Sequence, residues 1–239
     1  MVGSRFPHSG VYPFADQTLT AAEVVKIMGE LLTQERRERI EKTILQRTCN
    51  VVPVLENIYD RGNISAVLRT AEALGYQCAH VIELGEKFKS SNRVTQGADK
   101  WLDVRRWKST VECVSHLKSQ GFQVLATHLD DRARPLSEID CSRPTALVLG
   151  NEKDGISQEM IELADQTVII PMSGFVQSFN ISVAGAIALY HIYLDRVRSG
   201  IAHGDLSDDE RAILRAEFYM RSSKNPKRWI EQILARQPQ

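Results

Sequence analysis

The fold of this chain is decided by residues 145–198, which read TALVLGNEKDGISQEMIELADQTVIIPMSGFVQSFNISVAGAIALYHIYLDRVR. Two short apolar runs, 145–149 and 167–172, each end in an irregular polar turn. A long apolar helix is predicted after the second turn. Ligands of open α/β sheets bind beyond the carboxyl ends of the strands. Both turns therefore fall where a small-molecule site is expected.

Outward from that stretch, apolar runs of strand length alternate with helical patterns. The runs are 51–57, 79–84, 123–129, 145–149 and 167–172, and the helical patterns between them are 64–74, 110–120 and 157–164. This alternation predicts an α/β fold with a mostly parallel sheet and helices on both faces. We expect an N-terminal arm and helices over 1–48, the main domain over 49–200, and basic helices over 201–239.

The composition is that of a globular protein. The chain has 239 residues, of which 43% are hydrophobic and 25% charged, and its formal net charge is +0. The charge is uneven, because residues 87–108 and 211–239 each hold seven basic and two acidic residues, whereas 130–165 hold four basic and nine acidic. Local basic surfaces can hold phosphates in a neutral protein, although solvated helix faces would give the same counts.

Several classes of protein are disfavoured by what the chain lacks. No apolar stretch reaches the roughly 20 residues that span a bilayer, and residues 1–14 lack the design of a signal peptide. We expect a cytoplasmic protein, or an organellar one if a transit peptide was removed. Cys49, Cys78, Cys113 and Cys141 are too widely spaced for a zinc site or a disulfide framework, which predicts buried thiols.

The chain also lacks the commonest α/β fingerprints. Neither a Gly-x-Gly-x-x-Gly sequence, a Walker A sequence nor His-Glu-x-x-His occurs, which weakens the oxidoreductase and P-loop interpretations. Polar residues at the turns remain, namely Asn63, Arg69, Asn151, Glu152, Ser178, Asn180 and Ser182. Each has a structural explanation, since Asn and Ser start helices, an Arg on a helix forms ion pairs, and a Glu in a turn is solvated.

Taken together, three segments resemble the motifs of one family. They are Asn63-x5-Arg69, Gly150-Asn151-Glu152-x2-Gly155-Ile156, and IPMSGFVQSFNISVA at 170–184. In this order they resemble the SpoU branch of the SPOUT superfamily, the knotted S-adenosylmethionine-dependent RNA 2′-O-ribose methyltransferases. The similarity covers about residues 39–198 and is greatest to the bacterial tRNA guanosine-18 methyltransferases, which modify the D-loop. It implies a C-terminal trefoil knot.

The resemblance implies roles for individual residues. Arg69 matches the catalytic arginine, and the residues that complete the catalytic site are Asn63, Glu152, Ser178 and Asn180. The positions that match cofactor contacts are Thr127, Leu149, Gly150, Ile170, Met172 and Phe179. Phe179 departs from the family pattern, in which leucine is usual at this position. Because a guanidinium stays protonated near neutrality, we expect Arg69 to stabilise developing alkoxide charge, helped by a neighbouring phosphate.

The resemblance also implies partners. Family members are homodimers, in which the helix at 183–198 would pack against its mate, and the methyl donor is a sulfonium that needs no metal. RNA contact would fall to basic residues near the two ends, namely Arg36, Arg37, Arg39, Arg221, Lys224, Lys227 and Arg228.

The sequence leaves other interpretations open. A ribosomal RNA methyltransferase often carries an added domain before the knot, and the roughly fifty residues before the first strand are too few for one, which favours tRNA. A non-catalytic RNA-binding protein and a Rossmann-like oxidoreductase are the alternatives outside the branch.

Overall fold

A computed structural model describes residues 4–14, 17–84 and 100–235 of the chain. Its contacts divide the chain into two compact units. The sheet unit comprises Met1–Arg5 and Thr48–His203, and the helical unit comprises Phe6–Arg47 and Gly204–Gln239. The two segments of the helical unit thus belong together although residues 48–203 separate them along the chain.

The elements follow one another in this order. The strands are β1 (Val11–Phe14), β2 (Gln17–Thr20), β3 (Val51–Glu56), β4 (Cys78–Ile82), β5 (Asp103–Trp107), β6 (Gln123–Thr127), β7 (Arg134–Pro135), β8 (Thr145–Leu149) and β9 (Gln166–Ile169). The helices are α1 (Ala21–Gly29), α2 (Gln34–Ile44), α3 (Arg61–Ala73), α4 (Thr110–Ser119), α5 (Gln158–Leu163), α6 (Ile181–Arg198), α7 (Asp208–Arg221) and α8 (Pro226–Leu234). Within the described ranges, no helix combines the length and the apolar character that crossing a membrane requires.

The sheet unit is built on seven parallel strands in the order β5-β4-β3-β8-β6-β9-β7, counted over the described residues. All residues of β3, β4 and β8 are buried, which explains their continuous apolar runs, because both faces of a parallel sheet are covered. The predicted α/β fold with a mostly parallel sheet is confirmed. The trefoil knot stays a prediction that the resemblance implies.

The helices of the sheet unit pack on each other in two pairs. Helix α3 packs on α6, and α4 packs on α5. The core under α3 and α6 joins side chains of both helices to the central strands, among them Leu55, Val67, Leu149 and Leu189. At Gly185 of α6, an added Cβ would lie 3.0 Å from Leu149 and 3.1 Å from Val67, so the glycine allows close approach of α6 to the sheet.

Several strands were not predicted from the sequence, among them β5, β1 and β2. Strand β5 contains exposed Arg105 and Arg106, and its polar sequence lacks the apolar run by which the other strands were found. In the N-terminal arm, β1 and β2 pair antiparallel and bury Tyr12, Phe14 and Leu19. Aromatic and β-branched residues favour such pairing.

The four cysteines are all buried, as predicted, and none forms a disulfide within the described residues. Burial raises the pKa of the Cys113 and Cys141 thiols to about 12. Thiols of that kind are poor nucleophiles near neutrality.

The helical unit packs α7 against α1 and α2, with α8 against α1 and β1. Capping boxes start α1 at Thr20 and α7 at Ser207. A bidentate ion pair joins Arg215 of α7 to Glu41 of α2, at 2.6 and 2.7 Å. These contacts hold the N-terminal and C-terminal helices together.

Candidate active site

The turns that carry the three motifs meet at the carboxyl ends of the central strands. Strands β3 and β8 are neighbours in register, with Leu55 opposite Leu149, so the turns that follow them lie side by side. Strands β8, β6 and β9 are also neighbours. This places Gly150, Thr127 and Ile170, which follow or end those strands, along one edge of the sheet.

Three polar side chains, one from each motif, are connected by hydrogen bonds. The Asn63 amide Nδ2 donates to Glu152 Oε1 at 2.7 Å, and Asn180 Nδ2 donates to Asn63 Oδ1 at 3.4 Å. Asn63 is free to do this because Asp60 caps α3, accepting from the Gly62 amide at 2.7 Å. The alternative explanation of Asn63 as the helix cap is therefore wrong.

The turn that holds Glu152 is tightly folded. Asn151 and Gly155 form an isolated β-bridge, and Asn151 Oδ1 accepts from the amides of Lys153 and Asp154 at 2.8 and 2.6 Å. Gly155 has a φ of +70°, which L side chains rarely adopt. A Cβ at Gly150 would lie 2.2 Å from the Gly155 carbonyl carbon. Both glycines are thus required by the backbone path.

Asn180 is the N-cap of α6. Its Oδ1 accepts from the Ser182 amide at 2.9 Å and from Ser182 Oγ at 2.5 Å, while its Nδ2 donates to Asn63. The structural explanation of Asn180 as a helix start is therefore confirmed, whereas its part in the catalytic site stays a prediction. Ser178 is exposed, and its side chain makes no hydrogen bond to any described residue.

Arg69 lies apart from this cluster. Its side chain is exposed on α3 and lines a shallow depression together with Ala186, Ile187 and Tyr190 of α6. Among residues 4–14, 17–84 and 100–235 it forms neither a hydrogen bond nor an ion pair. The structure thus brings Asn63, Glu152 and Asn180 together and does not bring Arg69 into contact with them.

The residues that match cofactor contacts frame the edge beside the cluster. Thr127 Oγ1 donates to the Val148 carbonyl at 2.9 Å, Leu149 is buried, and Gly150 and Ile170 are partly exposed. Residues 171–180 are all exposed, and Met172 and Phe179 each expose 37% of their surface. Apolar side chains beside the ends of strands, with backbone polar groups between them, fit a nucleoside-type cofactor. No described group of His, Cys, Asp and Glu could hold a metal ion.

The comparison with protein families gives the same assignment as the three motifs. The model of the SpoU rRNA methylase family matches residues 50–190, more than half of the chain. The chain belongs to this SpoU family.

Relatives of this SpoU-family chain have known names and structures. The tRNA (guanosine(18)-2′-O)-methyltransferase of Escherichia coli K12 is 40% identical over 70% of this chain and 72% of its own length. The crystal structure of the TrmH/SpoU tRNA-modifying enzyme of Aquifex aeolicus matches with a TM-score of 0.72 and 33% identity, over 80% of this chain and 98% of that one.

A more distant SpoU methyltransferase, AviRb of Streptomyces viridochromogenes, has been solved with the cofactor AdoMet. It matches with a TM-score of 0.54 and 26% identity, over 62% of this chain and 60% of that one. The cofactor of the family, S-adenosylmethionine, is the one that the motifs imply.

The predicted RNA-binding residues of the SpoU-family chain all lie in the helical unit. Arg36, Arg37 and Arg39 are on α2, Arg221 ends α7, Lys224 follows it, and Lys227 and Arg228 are on α8. Most of these side chains are exposed, but Arg221 is only 19% exposed and pairs with Glu217 at 3.7 Å. It thus also has a structural role.

Glu56, at the end of β3, is a residue that the sequence analysis missed. It is 1% exposed, and its carboxylate accepts three hydrogen bonds of 2.8 Å, from the Ser157 amide, Ser157 Oγ and Thr110 Oγ1. Ser157 ends the turn that holds Glu152 and caps α5. The signal was a carboxylate at the end of an apolar strand, since buried charges need partners.

We expect Glu56 to fix that turn, which Ser157→Ala and Thr110→Val can test as a matched pair. Both remove a hydroxyl from Glu56, but only Ser157 belongs to the turn. Loss of a buried hydrogen bond costs about 1 to 3 kcal/mol, so both variants should melt earlier. Ser157→Ala should also weaken S-adenosylmethionine binding in calorimetry by about tenfold, and so should Glu56→Gln, whereas Thr110→Val should not. Equal weakening by Thr110→Val would show that Glu56 acts on stability alone.

Proposed function

We propose that this chain transfers a methyl group from S-adenosylmethionine to the ribose 2′-hydroxyl of the D-loop guanosine at position 18 of tRNA. The observation that carries the proposal is the hydrogen-bonded group of Asn63, Glu152 and Asn180, in which one residue of each family motif takes part. The name of the Escherichia coli relative supports the choice of tRNA. A tRNA substrate in turn supports a cytoplasmic location, which cell fractionation can check.

The proposal is tested by methylation of RNA with labelled S-adenosylmethionine. Unmodified tRNA should take up one methyl group, mapped to the ribose of guanosine 18, and a transcript with 2′-deoxyguanosine at that position should take up none. Ribosomal RNA serves as the second substrate, because the family description names rRNA. If only ribosomal RNA is methylated, the substrate is ribosomal RNA and not tRNA. If neither RNA is methylated, the proposal is refuted.

The residues at the carboxyl ends of the strands would bind the cofactor. S-adenosylmethionine supplies a methyl group on a positively charged sulfur. The edge formed by Thr127, Leu149, Gly150 and Ile170 would hold it through backbone groups, with Met172 and Phe179 as apolar contacts. Gly150 adds no side chain to that edge, and a Cβ there would lie 2.2 Å from the Gly155 carbonyl carbon. Preorganised backbone groups need no rearrangement when they bind a ligand.

Arg69 is assigned the stabilisation of charge on the attacking ribose oxygen. A guanidinium keeps its proton near neutrality, so it donates hydrogen bonds to an oxygen that is becoming negative. A phosphate of the RNA beside it would polarise the hydroxyl or accept its proton. Support comes from the match to the family arginine and from the exposed side chain, which makes no hydrogen bond among the described residues.

We predict that Arg69→Ala lowers kcat by about a hundredfold to a thousandfold, the usual effect of losing one preorganised donor, about 3 to 4 kcal/mol. Affinity for S-adenosylmethionine should stay close to that of the wild type, because Arg69 is not among the residues that match cofactor contacts. Arg69→Lys should fail as well, since an ammonium cannot reproduce the planar fork. Single-turnover methylation gives the rate, and a near-normal rate for Arg69→Ala would remove this role.

We propose further that the chain acts as a homodimer through α6. Val183, Ile187, Tyr190 and Val197 form one stripe along α6 and are each 41% to 52% exposed. Apolar stripes of this kind are usually covered by a partner. Arg69 lies in the depression that Ile187 and Tyr190 line, so a second copy on the stripe would enclose the proposed catalytic residue.

The dimer is tested with Ile187→Asp and Val111→Asp. Val111 is 43% exposed near the start of α4 and serves as the matched control. The wild-type protein should sediment at twice its 26.9 kDa. Ile187→Asp should weaken association by on the order of a hundredfold or more, because an unpaired buried carboxylate costs several kcal/mol. A monomeric wild type, or an Ile187→Asp protein that dimerises normally, would refute the interface.

A further inference from the structure

The basic stretch at 87–108 was not assigned a role by the proposed function. Residues 85–99 lie outside the described residues, whereas 100–108 are described. These nine residues include four basic side chains, Lys100, Arg105, Arg106 and Lys108, and one acidic side chain, Asp103. Strand β5 ends the sheet among the described strands and pairs with β4 alone. Its positive charge therefore lies at the margin of the sheet unit.

Arg105 is held in place by two rings. Its guanidinium carbon lies 4.0 Å from the centroid of the Trp107 ring, and its Nη1 lies 3.2 Å from His116 Nε2. Residues 105 and 107 point to the same face of β5, since side chains alternate along a strand. Arg105 is nevertheless exposed, so its guanidinium is both fixed and accessible.

The rings that hold Arg105 are themselves fixed. Trp107 is 8% exposed, and its Nε1 donates to His80 Nδ1 at 3.1 Å. Arginine can only donate, so His116 Nε2 accepts and its ring is neutral in this arrangement. Burial and the charge of Arg105 both lower the pKa of His116, which agrees with a neutral ring. A protonated His116 would repel the guanidinium.

Arg106 and Lys108 extend the charge to the other face of the strand. Both contact Glu83, Arg106 Nη1 at 3.1 Å and Lys108 Nζ at 3.8 Å. Their side chains are 61% and 75% exposed, whereas that of Glu83 is 11% exposed. One carboxylate shared by two cations leaves a net positive charge. The cations thus reach solvent and the anion does not.

We propose that the margin formed by Arg105, Arg106 and Lys108 binds the phosphate backbone of the RNA substrate, with Arg105 as its anchor. This inference rests on the proposed function, which supplies the polyanion. A guanidinium matches the geometry of a phosphate with two parallel hydrogen bonds. Because the indole and imidazole already fix Arg105, binding loses less side-chain entropy than it would with a mobile arginine.

The competing explanation of these charges is that they protect the terminal strand β5 from pairing with another chain. Charged side chains on a terminal strand prevent pairing with another chain, and that function needs charge but no fixed guanidinium. The ring contacts of Arg105 favour a ligand, because a solvated charge would protect the strand equally well without them.

The test compares Arg105→Gln with Arg134→Gln. Arg134 is also exposed and paired, at 3.7 Å from Glu138, and its removal changes the net charge equally. Binding of unmodified tRNA is measured over a series of salt concentrations, with S-adenosylmethionine affinity and melting temperature as further readouts. Arg105→Gln should raise the Kd for tRNA by about fivefold to tenfold and reduce the salt slope by about one phosphate contact. Cofactor affinity should not change.

A second variant, Arg105→Lys, separates the charge of Arg105 from its planar geometry. Arg105→Lys keeps the charge and loses the fork, so its Kd should fall between those of the wild type and Arg105→Gln. Unchanged tRNA binding by Arg105→Gln, or equal weakening by Arg134→Gln, would overturn the inference. Self-association of Arg105→Gln with normal tRNA binding would establish protection of the strand instead. If the wild type neither binds nor methylates tRNA, the proposed function fails; if it does both and Arg105→Gln matches it, only this inference fails.

Discussion

The parallel pairing of β3 with β8 is the constraint on which the rest of the sheet unit depends. It aligns Leu55 with Leu149 and so brings two turns together whose polar residues, Asn63 and Glu152, are 89 positions apart in the chain. A shift of register would move both turns along the strands and separate these side chains, because each residue of a strand advances about 3.3 Å. The buried faces of both strands make such a shift costly.

Glu56 connects that pairing to helices α4 and α5. Its three hydrogen bonds reach the first residue of α4 and the N-cap of α5, so the ends of β3, α4 and α5 are fixed together. A buried carboxylate without these donors would be strongly destabilising. Two contacts therefore position the Glu152 turn. They are the hydrogen bonds between Ser157 and Glu56 and the pairing of β8 with β3.

Much of the sheet unit could be predicted from the sequence, because its strands are buried on both faces and read as continuous apolar runs. Strand β5 could not, since it lies at the margin, where its side chains Arg105 and Arg106 are charged and exposed. Glu56 was missed because its partners, Thr110 and Ser157, are 54 and 101 positions away, a separation that no local pattern reports. The helical unit was missed as a unit for the same reason. Its bond between Glu41 and Arg215 spans 174 positions.

The hydrogen bonds of the motif cluster bear on which residue does the chemistry. Both polar atoms of the Asn63 amide and both of the Asn180 amide are occupied by neighbours, and both Glu152 oxygens accept, the second from the Tyr59 amide at 3.4 Å. Groups that hydrogen-bond to one another in this way hold a shape well.

Arg69 shows the opposite arrangement, with an exposed fork that contacts no described polar partner. A cationic group in that state is available to a phosphate or to an oxygen that is gaining charge, and the apolar stripe beside it offers a surface that excludes water once it is covered. The three motifs thus supply two kinds of group: residues that hydrogen-bond to one another and fix the turns, and Arg69, whose side chain makes no hydrogen bond to any described residue.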